Sequence, residues 1–249
     1  MNAIILAAGM GTRLKPHTNQ IPKGMLILNG KSLLKWQIDT LRDCDIKDIT
    51  IVTGFRSNKI HFPNITYFKN EHFNNTNMNE TLFCARKKLD DSVLISYSDI
   101  VYEKKIIQQI QDFKGDFGIA VNSKWVEAHI GRKDQSLSEA ENAVIENGRV
   151  IKIRKNITKP ASNQILTEFL GLFKLSKNGC QIILEKYDKL SKYHKGKFHN
   201  APSLKNAYLT DMIQDLIDSG YLIEPIFFEG KWYEIDTSQD LKRAEQFFD

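Results

Sequence analysis

The feature that most restricts the fold is the start of the chain, where a short apolar run leads directly into a glycine-rich turn. Residues 3–7 are small or aliphatic and do not alternate with polar residues, which is typical of a strand buried on both faces of a parallel sheet. Gly9 and Gly11 follow at once, and glycines at such a turn let backbone N–H groups approach an anion closely. The beginning of the chain therefore predicts an α/β sheet with an anion site at its edge.

Two cations belong to the same stretch of sequence, Arg13 in the turn and Lys23 shortly after it. Arginine offers a planar fork for phosphate and lysine offers a point charge, so a ligand with several negative charges is indicated. Two better-known phosphate motifs do not fit. A dinucleotide fingerprint would need glycine at Leu14, and a P-loop ending at residues 30–32 would need glycine at Met25.

The composition is that of a globular protein. The 249 residues are 41% hydrophobic and 26% charged, and the net charge of +5 is a mild excess that fits an anionic ligand. The sequence contains no concentrated basic face and no nucleic-acid-binding module, so we expect no nucleic-acid partner. No apolar run approaches the roughly 18–20 residues of a membrane span, and the start lacks the basic region of a signal peptide. We therefore expect no membrane partner.

The cysteines indicate a reducing compartment. Cys44, Cys84 and Cys180 lie far apart, match no metal-binding spacing and are odd in number, which argues against a disulfide framework. We expect reduced thiols in a cytoplasmic protein. The sequence leaves the oligomeric state open, with a homodimer as one option.

The alternation of strand and helix patterns predicts the fold class. Ser32 is placed to cap a helix, and periodicity predicts strands at 48–55, 92–98, 117–121, 148–154 and 167–175 and a final helix at 239–248. Such alternation predicts an α/β fold with a Rossmann-like, mostly parallel mixed sheet and helices on both faces. We expect a single domain over 1–249, with a small substrate-covering insertion at about 122–205 and a basic loop at 189–199.

Two acidic residues are placed where a ligand could reach them. Asp99 follows the predicted strand at 92–98, and Asp236 precedes the final helix. Ligands of open α/β sheets bind beyond the carboxyl ends of the strands, so both carboxylates could line a site. Spacing alone favours the simpler interpretation, in which each aspartate caps a turn or a helix.

The longer N-terminal string resembles a known family. Residues 7–18 read Ala-Ala-Gly-x-Gly-Thr-Arg-Leu-x-Pro-x-Thr, and residues 22–26 read Pro-Lys-Gly-Met-Leu. Together they resemble the signature of the nucleotidyltransferases that make sugar nucleotides and CDP-activated small molecules. Gly24 stands where that family usually has a second proline. The resemblance implies the nucleotide-diphospho-sugar transferase-like version of the predicted sheet.

The resemblance also implies roles for the acids and the cations. Residues 233–241 read Tyr-Glu-Ile-Asp-Thr-x-x-Asp-Leu and look like the C-terminal metal motif of the family. Asp99 and Asp236 are thereby implied to bind Mg²⁺, which prefers one or two carboxylates together with phosphate oxygens and water. Arg13 is implied to neutralise the β- and γ-phosphates of a nucleotide, and Lys23 to act at the α-phosphate.

The segment 74–82 points to the nucleotide. It is dense in amide and hydroxyl side chains, where hexose-phosphate members of the family usually carry a Gly-Thr-Ala type motif. It is more similar to the cytidylyltransferases that activate phosphocholine or aminoalkylphosphonates, which implies CTP. The residues expected to bind the nucleotide are Leu6, Ala7, Ala8, Gly9, Gly11, Thr12, Thr76, Asn77, Thr81 and Ser98.

The acceptor stays open among several small phosphorylated compounds. Glu168 begins a Glu-Phe-Leu-Gly pattern that faces the acceptor in this family. With Arg132 and Arg154 it would suit a phosphorylated amino acid or amide such as phosphoglutamine. Phosphocholine would call for an aromatic cage, and a phosphonate is the third option. The aromatic residues available for a cage are Tyr97, Tyr102, Trp125 and Trp232.

The predicted activity is transfer of CMP from CTP to such an acceptor with release of pyrophosphate, for modification of a surface polysaccharide or capsule. A general base is not needed, because the nucleophile is an already ionised phosphate or phosphonate oxygen. One alternative is a sugar-1-phosphate nucleotidyltransferase, and another is an inactive nucleotide-binding regulatory module. Retention of Arg13, Lys23, Asp99 and Asp236 together argues against the inactive module.

Overall fold

A computed structural model describes residues 1–134, 137–157 and 160–248 of the chain. The strands are β1 (Asn2–Ala7), β2 (Ile27–Leu28), β3 (Lys31–Ser32), β4 (Ile49–Thr53), β5 (Thr66–Lys69), β6 (Val93–Tyr97), β7 (Ile100–Tyr102), β8 (Phe117–Asn122), β9 (Glu141–Glu146), β10 (Arg149–Lys155), β11 (Ile165–Leu175), β12 (Glu224–Phe227) and β13 (Trp232–Glu234). The helices are α1 (Leu33–Asp43), α2 (Met78–Cys84), α3 (Lys104–Asp112), α4 (Trp125–Ala128), α5 (Lys177–Tyr193), α6 (Leu209–Asp218) and α7 (Ser238–Phe247).

Nine of these strands form one mixed sheet. Its order is β10-β9-β11-β6-β1-β4-β5, with β8 paired to β11 and β12 paired to β8. β1 pairs in parallel with β4 and β6, and β4 pairs in parallel with β5. β11 runs antiparallel to β6, β8 and β9. The parallel part comes from the N-terminal half of the chain, as the βαβ alternation predicts, and β11 makes the sheet mixed.

The burial of β1 explains its sequence. All six of its residues are buried, because β4 and β6 flank it on both edges and the apolar core covers both faces. A strand in this position has no solvent face, so its residues do not alternate between apolar and polar. The glycine turn after Ala7 therefore begins at an interior strand of the sheet.

Helix α1 forms where its cap predicts it. The Ser32 hydroxyl accepts a hydrogen bond from the Lys35 backbone N–H at 3.2 Å. Leu34, Ile38 and Leu41 are fully buried on one face of the helix, as their spacing indicates. The predicted start of this helix at Ser32 is confirmed.

One prediction of local structure needs correction, and one strand pairing was not predicted. The basic loop expected at 189–199 begins later than predicted, because α5 continues to Tyr193. Lysine and leucine are good helix formers, and the first glycine after the helix is Gly196. The pairing of β13 with β7 was not predicted, because strands of three residues are too short to show a periodic pattern of apolar residues.

The region predicted as an insertion, at about 122–205, contributes β9, β10 and β11 to the nine-stranded sheet. Within the described ranges, none of the helices is both long enough and apolar enough to cross a bilayer. A second, smaller apolar cluster lies apart from the main core and includes Leu14, Val101, Ile235 and Ala244. It packs the N-terminal turn against β7 and α7, and so joins the first and last parts of the chain.

Candidate active site

A cleft opens at the carboxyl end of β1. The turn there contains Gly11, whose φ of 61° is in the left-handed region, and a Cβ at this position would lie 3.0 Å from the Cβ of Lys23. Glycine is therefore needed both for the backbone conformation and for the close approach of the Lys23 segment. The cleft contains a cavity of about 240 Å³, which we call the first cavity.

The first cavity brings most of the predicted site residues together. Arg13, Lys23, Asp99 and Asp236 all line it. Ala7, which was predicted to bind the nucleotide, is buried in β1 and does not line it. The other residues predicted to bind the nucleotide all do, namely Leu6, Ala8, Gly9, Gly11, Thr12, Thr76, Asn77, Thr81 and Ser98.

Lys23 lies between two carboxylates in this cavity. Its Nζ is 2.6 Å from Oδ2 of Asp99 and 2.5 Å from Oδ1 of Asp236. Nη2 of Arg13 is 2.9 Å from the same Oδ1 of Asp236. Asp236 is 3% exposed, whereas Arg13 is 51% exposed, so the charge cluster runs from the protein interior to the open side of the cleft.

Short strands hold the two aspartates together although they are far apart in sequence. Asp99 lies between β6 and β7, and Asp236 follows β13. The antiparallel pairing of β7 with β13 continues in a hydrogen bond of 2.9 Å from the Ile235 N–H to the Asp99 carbonyl oxygen. This pairing brings the two carboxylates close together, which neither sequence segment determines alone.

The simpler interpretation of Asp236 as the cap of α7 is wrong. Thr237 is the N-cap residue, and its hydroxyl accepts a hydrogen bond from the Asp240 N–H at 3.2 Å. Asp240 is fully buried, and its Oδ2 in turn accepts hydrogen bonds from the N–H groups of Asp236 and Thr237 at 3.1 and 2.9 Å. The Asp236 carboxylate is thereby directed to the cavity instead of to the helix.

Neighbouring charges and burial shift the pKa values of Lys23, Asp236 and Glu234. Burial by itself lowers the pKa of Lys23, but the charges of Asp99 and Asp236 outweigh burial and raise that pKa above its ordinary value. Burial raises the pKa of Asp236, yet Lys23 and Arg13 hold that pKa below its usual range. For Glu234, burial and the charges of Asp236 and Asp99 raise the pKa well above its usual range.

The donor set of this cluster fits a hard divalent cation. The two aspartates share one point of contact at Lys23, and Oδ1 of Asp99 is buried without a hydrogen-bond partner. Mg²⁺ typically takes one or two carboxylates and completes its shell with phosphate oxygens and water. In the part of the chain that the structure describes, no group of three or more His, Cys, Asp or Glu residues is arranged to hold an ion. Phosphate and water would therefore supply the remaining ligands of a cation at Asp99 and Asp236.

Hydroxyl and amide groups line the other end of the first cavity. The buried Asn70 side chain donates hydrogen bonds to the hydroxyl oxygens of Thr76 and Thr81 at 2.9 and 3.0 Å. The Asn77 side chain caps α2 by accepting from the Met78 N–H at 2.9 Å. Asn70 was not predicted as a site residue. Its position directly after β5, beside a parallel strand, is the signal that could have found it.

A smaller cavity of about 110 Å³ adjoins the first, and we call it the second cavity. Tyr97 lines both, together with Arg13, Asp99 and Asp236. The Tyr97 hydroxyl donates to Glu141 at 3.1 Å, and Thr210 donates to the other oxygen of Glu141 at 3.3 Å. Glu141 and Lys155 line the second cavity but were not predicted, because their positions depend on the pairing of β9 and β10 with the sheet.

The predicted acceptor residues have different positions. Glu168 lines the second cavity. Arg132 is 4% exposed and lines neither cavity, since its Nε contacts Oδ1 of Asp240 at 2.8 Å and its Nη2 lies 3.7 Å from Glu234. Arg154 is exposed on β10 and lines neither cavity. Of the three predicted residues, the structure thus brings only Glu168 to this cavity.

The aromatic residues predicted for a choline cage are not gathered in the second cavity. Tyr97 lines it. Tyr102 is buried with its hydroxyl toward Gln37, and Trp125 packs edge-on against His129. Trp232 pairs with Tyr102 across β13 and β7.

Comparisons with known proteins identify relatives of this chain. Residues 3–146 match the model of the family described as MobA-like NTP transferase domain. The chain is 31% identical to a Campylobacter jejuni protein named CTP:phosphoglutamine cytidylyltransferase, over 97% of this chain and 98% of that protein.

Two solved structures share the fold. One is the CTP:phosphocholine cytidylyltransferase of Streptococcus pneumoniae, with a TM-score of 0.73 and 19% identity over 100% of this chain and 99% of that chain. The other is the inositol-1-phosphate CTP transferase of T. maritima, with a TM-score of 0.72 and 20% identity over 98% of this chain and 93% of that chain. The predicted fold class is confirmed.

The matched region covers more than half of the chain, and the similarity to the Campylobacter jejuni protein extends over nearly all of it. Both agree with the resemblance that the N-terminal signature indicates. The chain belongs to the MobA-like NTP transferase domain family, and the prediction that it is a nucleotidyltransferase is confirmed.

Proposed function

We propose that this protein is a cytidylyltransferase that transfers CMP from CTP to a small phosphorylated acceptor and releases pyrophosphate. The observation that carries the proposal is the position of Lys23, whose ammonium group joins the carboxylates of Asp99 and Asp236. Both aspartates line the two adjoining cavities. One cavity can take the nucleotide and the other the acceptor, so that their phosphates meet at this cluster.

The reaction joins two anions. A phosphate or phosphonate oxygen of the acceptor attacks the α-phosphorus of CTP and forms a new P–O bond. The bond from the α-phosphorus to the oxygen that bridges to the β-phosphate breaks, and pyrophosphate leaves with that electron pair. Lys23 stabilises the negative charge that develops at the α-phosphate, and the more exposed Arg13 neutralises the departing β- and γ-phosphates.

Asp99 and Asp236 hold Mg²⁺ in this proposal, and the ion when bound would neutralise phosphate charge and align the two substrates. Because the attacking oxygen is already ionised, the protein does not have to remove a proton. The work of the side chains is to orient the phosphates and to offset their repulsion.

We propose Thr76, Asn77 and Thr81 as contacts of the cytosine base. Their hydroxyl and amide groups face a cavity that also has the backbone of the β1 turn on its wall. Asn70 fixes the two threonine hydroxyls, so the base would meet an already ordered edge. Similarity to a protein named CTP:phosphoglutamine cytidylyltransferase supports CTP over the other nucleotides.

The remaining backbone and side-chain contacts to the nucleotide in this proposal are Leu6, Ala8, Gly9, Gly11, Thr12 and Ser98, and Glu168 contacts the acceptor. The acceptor is a phosphorylated amino acid or amide, phosphocholine or a small phosphonate, and the product serves to modify a surface polysaccharide or capsule. A reducing, cytoplasmic location is supported by Cys44, Cys84 and Cys180, which are all free thiols.

A screen of pyrophosphate release tests this proposal. Each of the four nucleoside triphosphates is combined, with Mg²⁺, with phosphocholine, 2-aminoethylphosphonate, phosphorylated amino acids and hexose 1-phosphates. We expect release with CTP and a non-sugar phosphate. Release only with hexose 1-phosphates would instead identify a sugar-1-phosphate nucleotidyltransferase, and CTP binding without release from any acceptor would favour an inactive binding module.

A further inference from the structure

More carboxyl groups than cations line the second cavity. Beyond the two aspartates, four glutamates line it, namely Glu139, Glu141, Glu168 and Glu234. The cations in its lining are Arg13 and Lys155. Arg13 contacts Asp236 at 2.9 Å, and Lys155 contacts Glu139 at 3.3 Å. An acceptor that offered only a phosphate would therefore supply no cationic partner to the glutamates of this cavity.

One carboxylate oxygen of Glu168, in this lining, has no hydrogen-bond partner among the described residues. The Glu168 side chain is 4% exposed. Oε1 lies 2.8 Å from Nε2 of His129, whereas Oε2 is buried and accepts no hydrogen bond from the described residues. A buried carboxylate oxygen is costly to leave unpaired, so this oxygen indicates a ligand that supplies a hydrogen-bond donor.

Glu141 is a second acceptor of hydrogen bonds in the same cavity. It receives hydrogen bonds from the neutral hydroxyl groups of Tyr97 and Thr210. Burial raises its pKa to about 7, although Lys155, Tyr97 and Thr210 oppose that rise. A cationic ligand beside Glu141 would favour its ionised form and would gain a charge-assisted interaction in return.

We propose that the acceptor carries a primary ammonium group at the end opposite its phosphate, and that Glu168 and Glu141 bind this ammonium in the second cavity. The inference rests on the proposed function, because it identifies the class of acceptor. The phosphate end would lie toward the cluster at Asp99 and Asp236, which also lines this cavity.

The lining distinguishes a primary from a quaternary ammonium. A primary ammonium can donate hydrogen bonds to Oε2 of Glu168, whereas a quaternary ammonium has no N–H and is recognised by aromatic faces. Among the described residues of the lining, Tyr97 and Phe169 meet each other edge to face, with ring centroids 5.8 Å apart. The Tyr208 ring already has the ammonium of Lys155 over it at 5.1 Å. The lining therefore offers carboxylate oxygens as hydrogen-bond acceptors for a primary ammonium group.

Three acceptors of similar size test this inference. Phosphoethanolamine carries the primary ammonium, propyl phosphate replaces that group with a methyl group, and phosphocholine carries a quaternary ammonium. We expect kcat/KM for pyrophosphate release from CTP to be about 10- to 100-fold higher with phosphoethanolamine than with propyl phosphate. Phosphocholine should also be the poorer substrate. Equal or better use of propyl phosphate or phosphocholine would overturn the inference.

A variant tests whether Glu168 causes the preference for phosphoethanolamine over propyl phosphate. Glu168→Gln removes the charge but keeps the shape, and should reduce the ratio of kcat/KM for phosphoethanolamine to that for propyl phosphate by about tenfold or more. Glu185→Gln, which removes the same charge from an exposed position on α5, should keep the wild-type ratio. Should Glu168→Gln fail to fold, Glu141→Gln takes its place. A wild-type ratio in the folded variant would overturn the assignment.

Calorimetric binding of the same three phosphates, with Mg²⁺ and CMP present, separates this inference from the proposed function. Preferential binding of phosphoethanolamine without any pyrophosphate release would support the ammonium site and contradict the transferase activity. Pyrophosphate release without preference for the ammonium would support the transferase activity and overturn the ammonium site. Absence of preference in both measurements would also overturn the ammonium site.

Discussion

Lys23 is the residue on which the candidate site depends. Two carboxylates of like charge repel each other at short range, and Lys23 holds Asp99 and Asp236 at one point by contacting both. The aspartates in turn keep the pKa of Lys23 raised in spite of its burial. Lys23 and Asp236 therefore stabilise each other's charged form, at the place where two phosphates are proposed to react.

Replacing either aspartate should impair catalysis far more than folding. Asp99→Asn and Asp236→Asn keep the side-chain shape, and Lys23 retains the other carboxylate as a partner. We expect kcat for pyrophosphate release to fall by about 100-fold or more, and the melting temperature to fall by no more than about 4 °C. Turnover assays and thermal denaturation of the same preparations measure both effects.

Asp188→Asn is the matched control for those variants. Asp188 is 55% exposed and forms a surface ion pair with Arg86. The variant removes an equal charge there, so both turnover and melting temperature should stay near those of the wild type. Near-normal turnover of Asp99→Asn and Asp236→Asn with a large loss of thermal stability would show that these aspartates are structural.

At the scale of the element, an irregularity in β11 makes room for Tyr97, which lines both cavities. The register of β11 against β8 shifts between Phe169 and Phe173. Gly171 lies within this irregularity with φ of 73°, and a Cβ there would lie 2.6 Å from the Tyr97 ring. The ring of Tyr97 can line both cavities only because this position has no side chain.

A methyl group at Gly171 should therefore disturb both stability and the site. Gly148 has a similar φ of 74° but open space around it, so Gly148→Ala should cost only the conformational strain, about 1–2 kcal/mol. Gly171→Ala should lower the free energy of unfolding by about 1–3 kcal/mol more, because Tyr97 must move. Denaturant unfolding of the two variants measures the difference, and equal losses would contradict the proposed steric role of Tyr97.

Two residues of the segment 129–132 position side chains of the site without lining either cavity. Arg132 contacts Asp240, whose other oxygen fixes the backbone of Asp236, and His129 holds one oxygen of Glu168. This explains why an arginine that was predicted to bind the acceptor lies away from both cavities. Its charge belongs to a buried network that positions other side chains.

At the scale of the whole molecule, the sequence predicted what depends on local pattern. The buried run of β1, the turn at Gly11 and the cap at Ser32 are each determined by neighbouring residues, so periodicity and turn chemistry were sufficient. The resemblance to nucleotidyltransferases identified Asp99 and Asp236 as candidates, and the structure places them together. The family and the fold class could therefore be predicted from the sequence.

The rest depends on contacts between distant segments. Asn70 and Glu141 reach the cavities only through the pairing of β5 with β4 and of β9 with β11, which no local pattern specifies. Arg154 is the opposite case. It was predicted to bind the acceptor, but it lies exposed on β10. A sequence gives the charge of such a side chain but not the direction in which a twisted sheet will turn it.

The central claim is that the cluster of Lys23, Asp99 and Asp236 supports attack on the α-phosphorus of CTP. The most direct test follows radioactive phosphorus from CTP with Mg²⁺ and phosphoethanolamine, using CTP labelled at either the α- or the γ-phosphate. We predict that the α-label appears in a CMP–acceptor conjugate and the γ-label in pyrophosphate, and that Asp236→Asn greatly reduces both. Transfer of the γ-label to the acceptor, or its release as orthophosphate, would contradict the account.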